Sequence, residues 1–314
     1  MELVVSTEWL ANEIGASDLR VVDATWFMPD AGRNAQAEYE GGHIPGAVFM
    51  DLQELADANS SLPNILPPPE KFASRMQSLG LGDGSRIVVY DDSPFKSATR
   101  AYWMLTLFGA HDVAILDGGI AKWKAEGRAL ETGKPALRHR HFTVWKDEKA
   151  VRNKADMLAN LHSKEADVVD ARGAGRFTGQ EAEPRPDMAS GHIPGSRNLP
   201  FGNLLNADGT WKRGDALTQA FTDAGVDLNK PMITTCGSGM TAAVVLFGAR
   251  LTGIAYTEIG ISIPSIADGI RAGRIRTLIV VGEDYGEGAS VIQERTHAYA
   301  LKSTLCLLDP RPDL

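Results

Sequence analysis

The sequence has few cysteines, fewer basic than acidic residues and no long apolar run, and each of these features excludes a class of protein. Its 314 residues include two cysteines, Cys236 and Cys306, with neither a Cys-x-x-Cys pair nor a Cys/His cluster, which argues against a zinc site. Lysine and arginine number 32 against 40 aspartates and glutamates, whereas a nucleic-acid-binding surface needs a basic stripe. No run approaches the roughly 20 apolar residues of a membrane span. We therefore expect no metal, nucleic-acid or membrane partner.

The N-terminus lacks the pattern of an export signal. The opening residues, MELVVSTEWLANEI, carry early acidic residues and no basic segment. Two cysteines that are far apart in such a chain are typical of reduced thiols. With 43% hydrophobic and 23% charged residues, the composition is that of a globular protein. We therefore expect a cytoplasmic protein, and the question becomes what one thiol does.

One pattern occurs twice in the chain. Val-Val-Asp-Ala at 21–24 recurs at 168–171, and Gly-His-Ile-Pro-Gly at 42–46 recurs at 191–195. The offsets, 147 and 149 residues, are nearly constant although the residue types differ. Such a repeat predicts two homologous domains.

Short apolar runs alternate with amphipathic stretches in each copy. The segments 86–90, 113–116 and 231–235 are predicted to be buried strands. The segments 96–108 and 241–250 are predicted to be helices. Strands that alternate with helices indicate an α/β fold in which each domain is a parallel sheet flanked by helices.

The repeat and the composition also predict the domain boundaries. The first domain is expected at 1–130, and a polar linker follows at 131–150. The second domain is expected at 151–253. Residues 254–314 form an atypical tail, so the second domain is predicted to be incomplete unless the tail supplies its missing parts.

Cys236 lies between a predicted buried strand and a predicted helix, in the segment Thr-Cys-Gly-Ser-Gly-Met-Thr at 235–241. Backbone N–H groups converge at such a helix start, and the helix adds a positive partial charge. Gly237 and Gly239 allow the backbone to curl into an anion-binding nest. The thiolate is then favoured over the thiol, so Cys236 is predicted to be a nucleophile. The alternative is an inert buried cysteine, which the apolar neighbours of Cys306 favour for that residue.

Three features occur together in this chain: the Cys-Gly-Ser-Gly-x-Thr loop, the paired His-Ile-Pro-Gly segments, and Asp-Gly-Gly at 117–119 with Trp123. Together they resemble the tandem rhodanese family over about residues 1–253. Within that family the loop is similar to the 3-mercaptopyruvate branch. The thiosulfate branch typically carries a basic Cys-Arg-Lys-Gly loop, where this chain has Gly237 and Ser238. The resemblance implies two tandem rhodanese-like domains and a sulfurtransferase that needs no cofactor.

The resemblance also implies roles for the loop residues. Cys236 is expected to carry the transferred sulfur as a persulfide, and Ser238 is expected to relay a proton. Backbone N–H groups are expected to surround the terminal sulfur. These groups belong to Gly237, Gly239, Met240 and Thr241.

Two arginines of the second domain match the family's carboxylate-binding residues. They are Arg176, in a Gly-Arg-Phe segment, and Arg185, in a Glu-Pro-Arg segment. Planar guanidinium groups bind a carboxylate through paired hydrogen bonds, so this role is chemically sound. The alternative for each arginine is a surface ion pair with Glu181 or Glu183.

The first domain is expected to be a catalytically silent copy, because its corresponding loop, Asp-Asp-Ser-Pro at 91–94, has no thiol. A phosphatase of related fold would need a longer Cys-x5-Arg loop, whereas residue 242 is Ala. The implied sulfur donor is 3-mercaptopyruvate, with thiosulfate as a secondary donor. The implied acceptor is cyanide or a thiol, such as thioredoxin or a low-molecular-weight thiol. The alternatives are a thiosulfate sulfurtransferase and a non-catalytic persulfide carrier.

The chain departs from the family pattern in the first domain. Family members usually carry an Asp and a His in a loop that faces the active cysteine. The His position falls in Asn-Ile-Leu-Pro at 64–67, so the residue is Asn64, and the Asp position is Gln53, close to Asp51. A proton relay through these positions is therefore not expected.

The tail departs further from the family pattern than the first domain does. The repeat predicts a second Asp-Gly…Trp element near 262–268, where the sequence is Ser-Ile-Pro-Ser-Ile-Ala-Asp. Residues 282–295 instead resemble a segment of indolepyruvate ferredoxin oxidoreductases, which indicates gene fusion, frame disruption or misassembly. Two outcomes are open. Either the apolar run 277–281 replaces the missing central strand, or the second sheet is left with an unpaired edge.

Overall fold

The computed structural model describes residues 1–60, 62, 64–135, 137–184, 190–254, 277–281 and 304–308. The chain divides into two compact units, Met1–Ile259 and Gly260–Leu314. The first unit contains both copies of the sequence repeat.

The first copy of the repeat is built on five strands: β1 (Val4–Val5), β2 (Leu19–Asp23), β3 (Val48–Phe49), β4 (Arg86–Tyr90) and β5 (Asp112–Leu116). They form one parallel sheet in the order β1-β5-β4-β2-β3. β4 is central and rich in β-branched residues, as expected for a parallel strand that is covered on both faces.

Six helices accompany this sheet: α1 (Thr7–Glu13), α2 (Ala35–Gly41), α3 (Leu52–Leu55), α4 (Pro69–Ser78), α5 (Ala98–Leu107) and α6 (Gly119–Ala125). Alternate residues of β4 enter two separate apolar clusters. Val89 packs in the cluster that contains Phe72 of α4, and Val88 packs in the one that contains Trp123 of α6. Because successive side chains of a strand point to opposite faces, the helices lie on both sides of the sheet.

The second copy contains the strands β6 (Asp167–Asp170), β7 (Arg197–Asn198) and β8 (Met232–Thr235) and the helices α7 (Lys154–Ser163), α8 (Ala174–Thr178), α9 (Gly214–Asp223) and α10 (Met240–Leu251). Short 3-10 helices occupy Glu148–Ala150 and Phe201–Leu204. The three strands form a parallel sheet in the order β7-β6-β8. Within the described residues, β8 pairs with β6 and with no second strand.

The predicted elements are confirmed with small shifts at their ends. β4 has the predicted bounds, and β8 begins at Met232, one residue after Pro231. α5 begins at Ala98, two residues later than predicted, because Lys96 adopts a left-handed backbone with a φ of 52° in the turn before it. The α/β architecture of parallel sheets flanked by helices is as the sequence predicts.

The two copies meet along α5 and α10. The ring of Tyr102 on α5 contacts that of Phe247 on α10 edge-on, with centroids 4.8 Å apart. After β5, Asp117 accepts hydrogen bonds from the Trp211 N–H at 3.0 Å and from Arg213 Nη2 at 3.1 Å. These contacts bring the first copy against the helix that follows Cys236.

The second unit contains two described strands, β9 (Thr277–Val281) and β10 (Thr304–Leu308), which pair with each other in parallel. Among the described strands these two form a sheet of their own. Cys306 lies in β10, and its side chain is outside the described part of the structure. The segments 262–268 and 282–295, which carry the other tail predictions, also lie outside the described residues.

Candidate active site

The cysteine loop forms the link between β8 and α10. Cys236 directly follows Thr235, the last residue of β8, and α10 begins at Met240. Gly239 immediately precedes the helix with φ of 75°, a left-handed conformation that favours glycine. Its backbone N–H donates a hydrogen bond to Cys236 Sγ at 3.1 Å. The structure thus places a backbone donor against the sulfur, as expected for an anion-binding loop at a helix start.

The predicted loop residues are brought together but differ in exposure. Cys236, Gly237, Ser238 and Gly239 are half-buried. Met240 and Thr241 are buried in the first turn of α10. Their side chains belong to the core, and only their backbone N–H groups fit the predicted role.

Arg176 lies on α8 and is engaged by an acid of its own domain. Its guanidinium donates two hydrogen bonds to the Glu183 carboxylate, from Nη2 at 2.5 Å and from Nε at 3.3 Å. The Glu183 side chain is only 1% exposed, and the hydrogen bonds from Arg176 and Arg172 hold its pKa below the usual value. The structure therefore contains the ion pair that was the alternative interpretation of Arg176, although at a buried acid. Arg185 lies outside the described residues.

Arg172 was not among the predicted residues and completes this cluster. It is buried and donates to the Asp170 carboxylate through Nε at 3.0 Å and Nη2 at 2.6 Å, and it also contacts Glu183. Two arginines and two acids thus compensate one another. The Val-Val-Asp-Ala-Arg segment at 168–172 was a possible signal, because an arginine beside a strand-end aspartate favours such a pair.

Arg100 of the first copy reaches the cysteine loop, which the sequence prediction missed. It lies on the first turn of α5 and is 7% exposed. Its Nη1 donates to the carbonyl oxygen of Gly239 at 3.4 Å, and its Nη2 donates to that of Asn64 at 2.8 Å. A contact between residues so distant in the chain leaves no signal in one sequence.

The departures in the first copy have local structural roles. Asn64, at the position of the expected His, adopts a φ of 57° and offers its backbone carbonyl to Arg100. Asp51 is the N-cap of α3 and accepts hydrogen bonds from the backbone N–H groups of Gln53 and Glu54. Gln53 itself is exposed.

The two repeated histidines stabilise the fold in the same way. His43 stacks on Tyr39, and its Nδ1 lies 2.8 Å from the Tyr39 carbonyl oxygen. His192 stacks on Phe177, and its Nδ1 lies 2.8 Å from the Phe177 carbonyl oxygen. Each histidine therefore holds the turn after a helix against that helix.

A cavity of about 300 Å³ lies behind the cysteine loop. Thr235 and Gly239 line it, whereas Cys236 does not. The guanidinium groups of Arg100 and Arg250 are among the charged groups that line this cavity.

The described residues contain no group of three or more His, Cys, Asp or Glu side chains that is arranged to hold a metal ion. None of the helices described is both long enough and apolar enough to cross a membrane.

Comparison with known proteins decides the family. The sequence model of the rhodanese-like domain matches the chain twice, at residues 6–126 and 153–263. The chain belongs to the rhodanese family. Its two copies are therefore tandem rhodanese-like domains, as the sequence predicts.

Named members of the rhodanese family are similar to this chain over most of its length. The 3-mercaptopyruvate sulfurtransferase of Mus musculus is 40% identical over 256 residues, which cover 80% of this chain and 86% of the relative. The thiosulfate sulfurtransferase of Cricetulus griseus is 38% identical over 259 residues, with the same coverage. The crystal structure of SseA from Escherichia coli, a 3-mercaptopyruvate sulfotransferase with the rhodanese fold, is 38% identical with a TM-score of 0.75. That match covers 82% of this chain and 96% of SseA.

Proposed function

We propose that this protein transfers sulfur from 3-mercaptopyruvate to a thiol or to cyanide through a persulfide on Cys236, and releases pyruvate. The observation that carries the proposal is the Gly239 N–H, which lies 3.1 Å from Cys236 Sγ at the start of α10. A thiolate at this place is stabilised by the amide and by the helix start. Relatives of about 40% identity bear the name of this activity.

The chemistry divides into two steps. The Cys236 thiolate attacks the sulfur of 3-mercaptopyruvate, so that an S–S bond forms and the C–S bond breaks. The electron pair of the C–S bond leaves on carbon as the enolate of pyruvate, which takes up the thiol proton of the substrate. In the second step an acceptor thiolate or cyanide attacks the outer sulfur and restores the Cys236 thiolate. Such an exchange has ping-pong kinetics and needs no metal or organic cofactor.

Several groups are proposed to assist these steps. The backbone N–H groups from Gly237 to Thr241 stabilise the negative charge of the outer sulfur. Ser238, which is half-buried beside Cys236, relays the proton to the enolate.

Arg176 and Arg185 are proposed to bind the substrate carboxylate. The Arg176 side chain is 29% exposed while it donates to Glu183. Glu183 then orients Arg176 as well as neutralising it.

The loop favours 3-mercaptopyruvate over thiosulfate as donor. Thiosulfate is a dianion, and Gly237 and Ser238 offer it no cationic side chain. We propose thiosulfate as a secondary donor. A thiol such as thioredoxin, or a low-molecular-weight thiol, is proposed as acceptor, and the cytoplasm as the location.

The proposal is tested by mass spectrometry. Incubation of the purified protein with 3-mercaptopyruvate is expected to add one sulfur atom, and peptide mapping is expected to place it on Cys236. Cys236→Ser is expected to add none, and Cys306→Ser is the matched control that keeps the addition. If the wild-type protein gains no sulfur, the proposed function is wrong. Rates with 3-mercaptopyruvate and thiosulfate then decide between the two donors.

A persulfide carrier without turnover is the second candidate, and Asn64 favours it, because the expected histidine is absent. A carrier would gain one sulfur per chain and release no further pyruvate when acceptor thiol is added. An enzyme would release pyruvate continuously. Pyruvate formation with excess donor and acceptor separates the two.

A further inference from the structure

The first rhodanese-like domain contributes a buried cation to the site of the second. Arg100 projects from the first turn of α5, and its guanidinium stacks on Trp103, with Cζ 4.6 Å from the ring centroid. Only 7% of Arg100 is exposed. No carboxylate pairs with it in the part of the chain that the structure describes. A buried cation without a counterion is costly, so its presence calls for an explanation.

The hydrogen bonds of Arg100 supply one part of that explanation. Nη2 is anchored on the Asn64 carbonyl at 2.8 Å, and Nη1 reaches the Gly239 carbonyl at 3.4 Å. Gly239 is also the residue whose N–H contacts Cys236 Sγ. Arg100 thus holds the residue that aims an amide at the sulfur.

The packing at Gly239 shows how closely the guanidinium approaches. A Cβ atom at this position would lie 2.9 Å from Arg100 Nη1. Glycine is therefore needed at 239 for its left-handed backbone and also for the approach of Arg100.

Charge supplies the other part. Burial lowers the pKa of Arg100 to about 10, and Cys236 opposes this shift. The interaction is mutual, so a cation that Cys236 stabilises also stabilises a negative charge on that sulfur. Among the described residues, the other charged groups that line the cavity behind the loop are Arg250 on α10, Asp147 and Lys149 in the linker, and Arg152 just after it.

We propose that Arg100 is a positioning residue of the cysteine loop: it fixes Gly239 against the sulfur and supplies the buried positive charge that stabilises the Cys236 thiolate and persulfide. The persulfide part rests on the proposed function, whereas the thiolate part does not. The Cys236 sulfur of the second domain then acts as the counterion of Arg100.

The test measures alkylation of Cys236 by iodoacetamide against pH, which requires no substrate. Arg100→Met is expected to raise the pH midpoint of alkylation by roughly one unit. It is also expected to lower the rate of persulfide formation from 3-mercaptopyruvate by about tenfold or more. Arg100→Lys keeps the charge but loses the fork of donors, so its midpoint should lie near that of the wild type while persulfide formation stays slow.

Arg250→Met is the matched control. Arg250 lines the same cavity and places its Cζ 5.5 Å from the Tyr102 ring centroid. Its removal is expected to leave the alkylation midpoint unchanged. Thermal melting accompanies each variant: loss of an uncompensated buried charge should not lower the melting temperature of Arg100→Met.

The outcomes separate the two proposals. An unchanged midpoint in Arg100→Met, or an equal shift in Arg250→Met, would overturn the role of Arg100. A melting temperature that falls in both Arg100 variants, with a normal midpoint in each, would also overturn it and assign Arg100 to stability alone. If the wild-type protein forms no persulfide, the proposed function fails, and the alkylation profile still tests Arg100.

Discussion

The two rhodanese-like domains place different side chains at the same point of the fold. Asp91 directly follows β4 and precedes α5, as Cys236 directly follows β8 and precedes α10. The Asp91 carboxylate accepts hydrogen bonds from the Ala98 N–H at 2.6 Å and from the Ser93 N–H at 3.3 Å. Cys236 Sγ accepts one from the Gly239 N–H at 3.1 Å. Both side chains thus accept hydrogen bonds from backbone N–H groups at or just before a helix start.

The difference lies in what each loop leaves open. Asp91 is buried, and its carboxylate occupies the loop of the first domain. Cys236 is half-buried. The comparison indicates that the carboxylate of the first domain occupies the position that the thiol has in the second. Arg100, which follows the first loop on α5, contacts the second loop.

The largest expected effect comes from making the second loop resemble the first. Cys236→Asp replaces the thiol with the carboxylate that the first domain carries. We expect no sulfur addition and no pyruvate release, because the nucleophile is absent. Folding should persist, since a carboxylate also accepts hydrogen bonds at a helix start. Intact mass after incubation with 3-mercaptopyruvate and a circular dichroism melt check both statements.

Cys306→Ser is the control for this prediction and should react like the wild-type protein. Sulfur that appears on Cys236→Asp would have to reside on Cys306. That result would contradict the assignment of the site.

The next effect is expected from Gly239→Ala. The new Cβ would meet Arg100 Nη1 at 2.9 Å, so either the loop or the arginine must move. A displacement of this kind can cost about a hundredfold in kcat/KM. Steady-state release of pyruvate is the measurement.

Gly253→Ala is the matched control for Gly239→Ala. Gly253 has a similar φ of 70°, but among the described residues, its chain neighbours aside, no atom lies within 4 Å of the place of its Cβ. Both variants carry the left-handed strain, about 1 kcal/mol, and only Gly239→Ala disturbs Arg100. Equal kcat/KM values in the two variants would show that the contact with Arg100 is irrelevant to turnover.

These two sites also show how far the sequence alone can lead. The position of Cys236 in a loop between a strand and a helix was predictable, because an apolar run followed by a cysteine and two glycines specifies a strand and a tight loop. The tandem fold was predictable from the repeat, which needs no knowledge of contacts. Local patterns were sufficient in both cases.

Contacts between distant segments were not predictable. Arg100 and Gly239 meet only because α5 packs on α10, and no pattern within one sequence reports that packing. The burial of Glu183 against Arg176 likewise depends on the fold around α8. In the tail, one of the two open alternatives made the apolar run 277–281 a strand, and the structure has β9 there, paired with β10.

A smaller effect, on stability, is expected from Asp91→Asn. Burial raises the pKa of Asp91 from 3.8 to about 6. Because the folded protein binds this proton more tightly than the unfolded chain does, Asp91 stabilises the fold below pH 3.8. That contribution is lost as the pH rises through about 6. The loss amounts to roughly 3 kcal/mol in the free energy of unfolding.

The asparagine variant has no such titration. The difference in free energy of unfolding between wild type and Asp91→Asn should therefore shift against the wild type between about pH 4 and pH 6.5. Denaturant unfolding at a series of pH values measures it. A difference that is constant with pH would mean that the carboxylate is not buried as described.

The smallest expected effect is a difference in amide hydrogen exchange between the two sheets. β4 is paired on both sides, by β2 and β5, whereas β8 is paired by β6 alone among the described strands. A strand with one open edge opens more readily than a central one, because fewer ladder hydrogen bonds resist the motion. Backbone amides of 233–235 are therefore expected to exchange with deuterium about tenfold or more faster than those of 88–90. Equal protection of the two segments would show that the second edge of β8 is also covered, so that the two sheets do not differ in this respect.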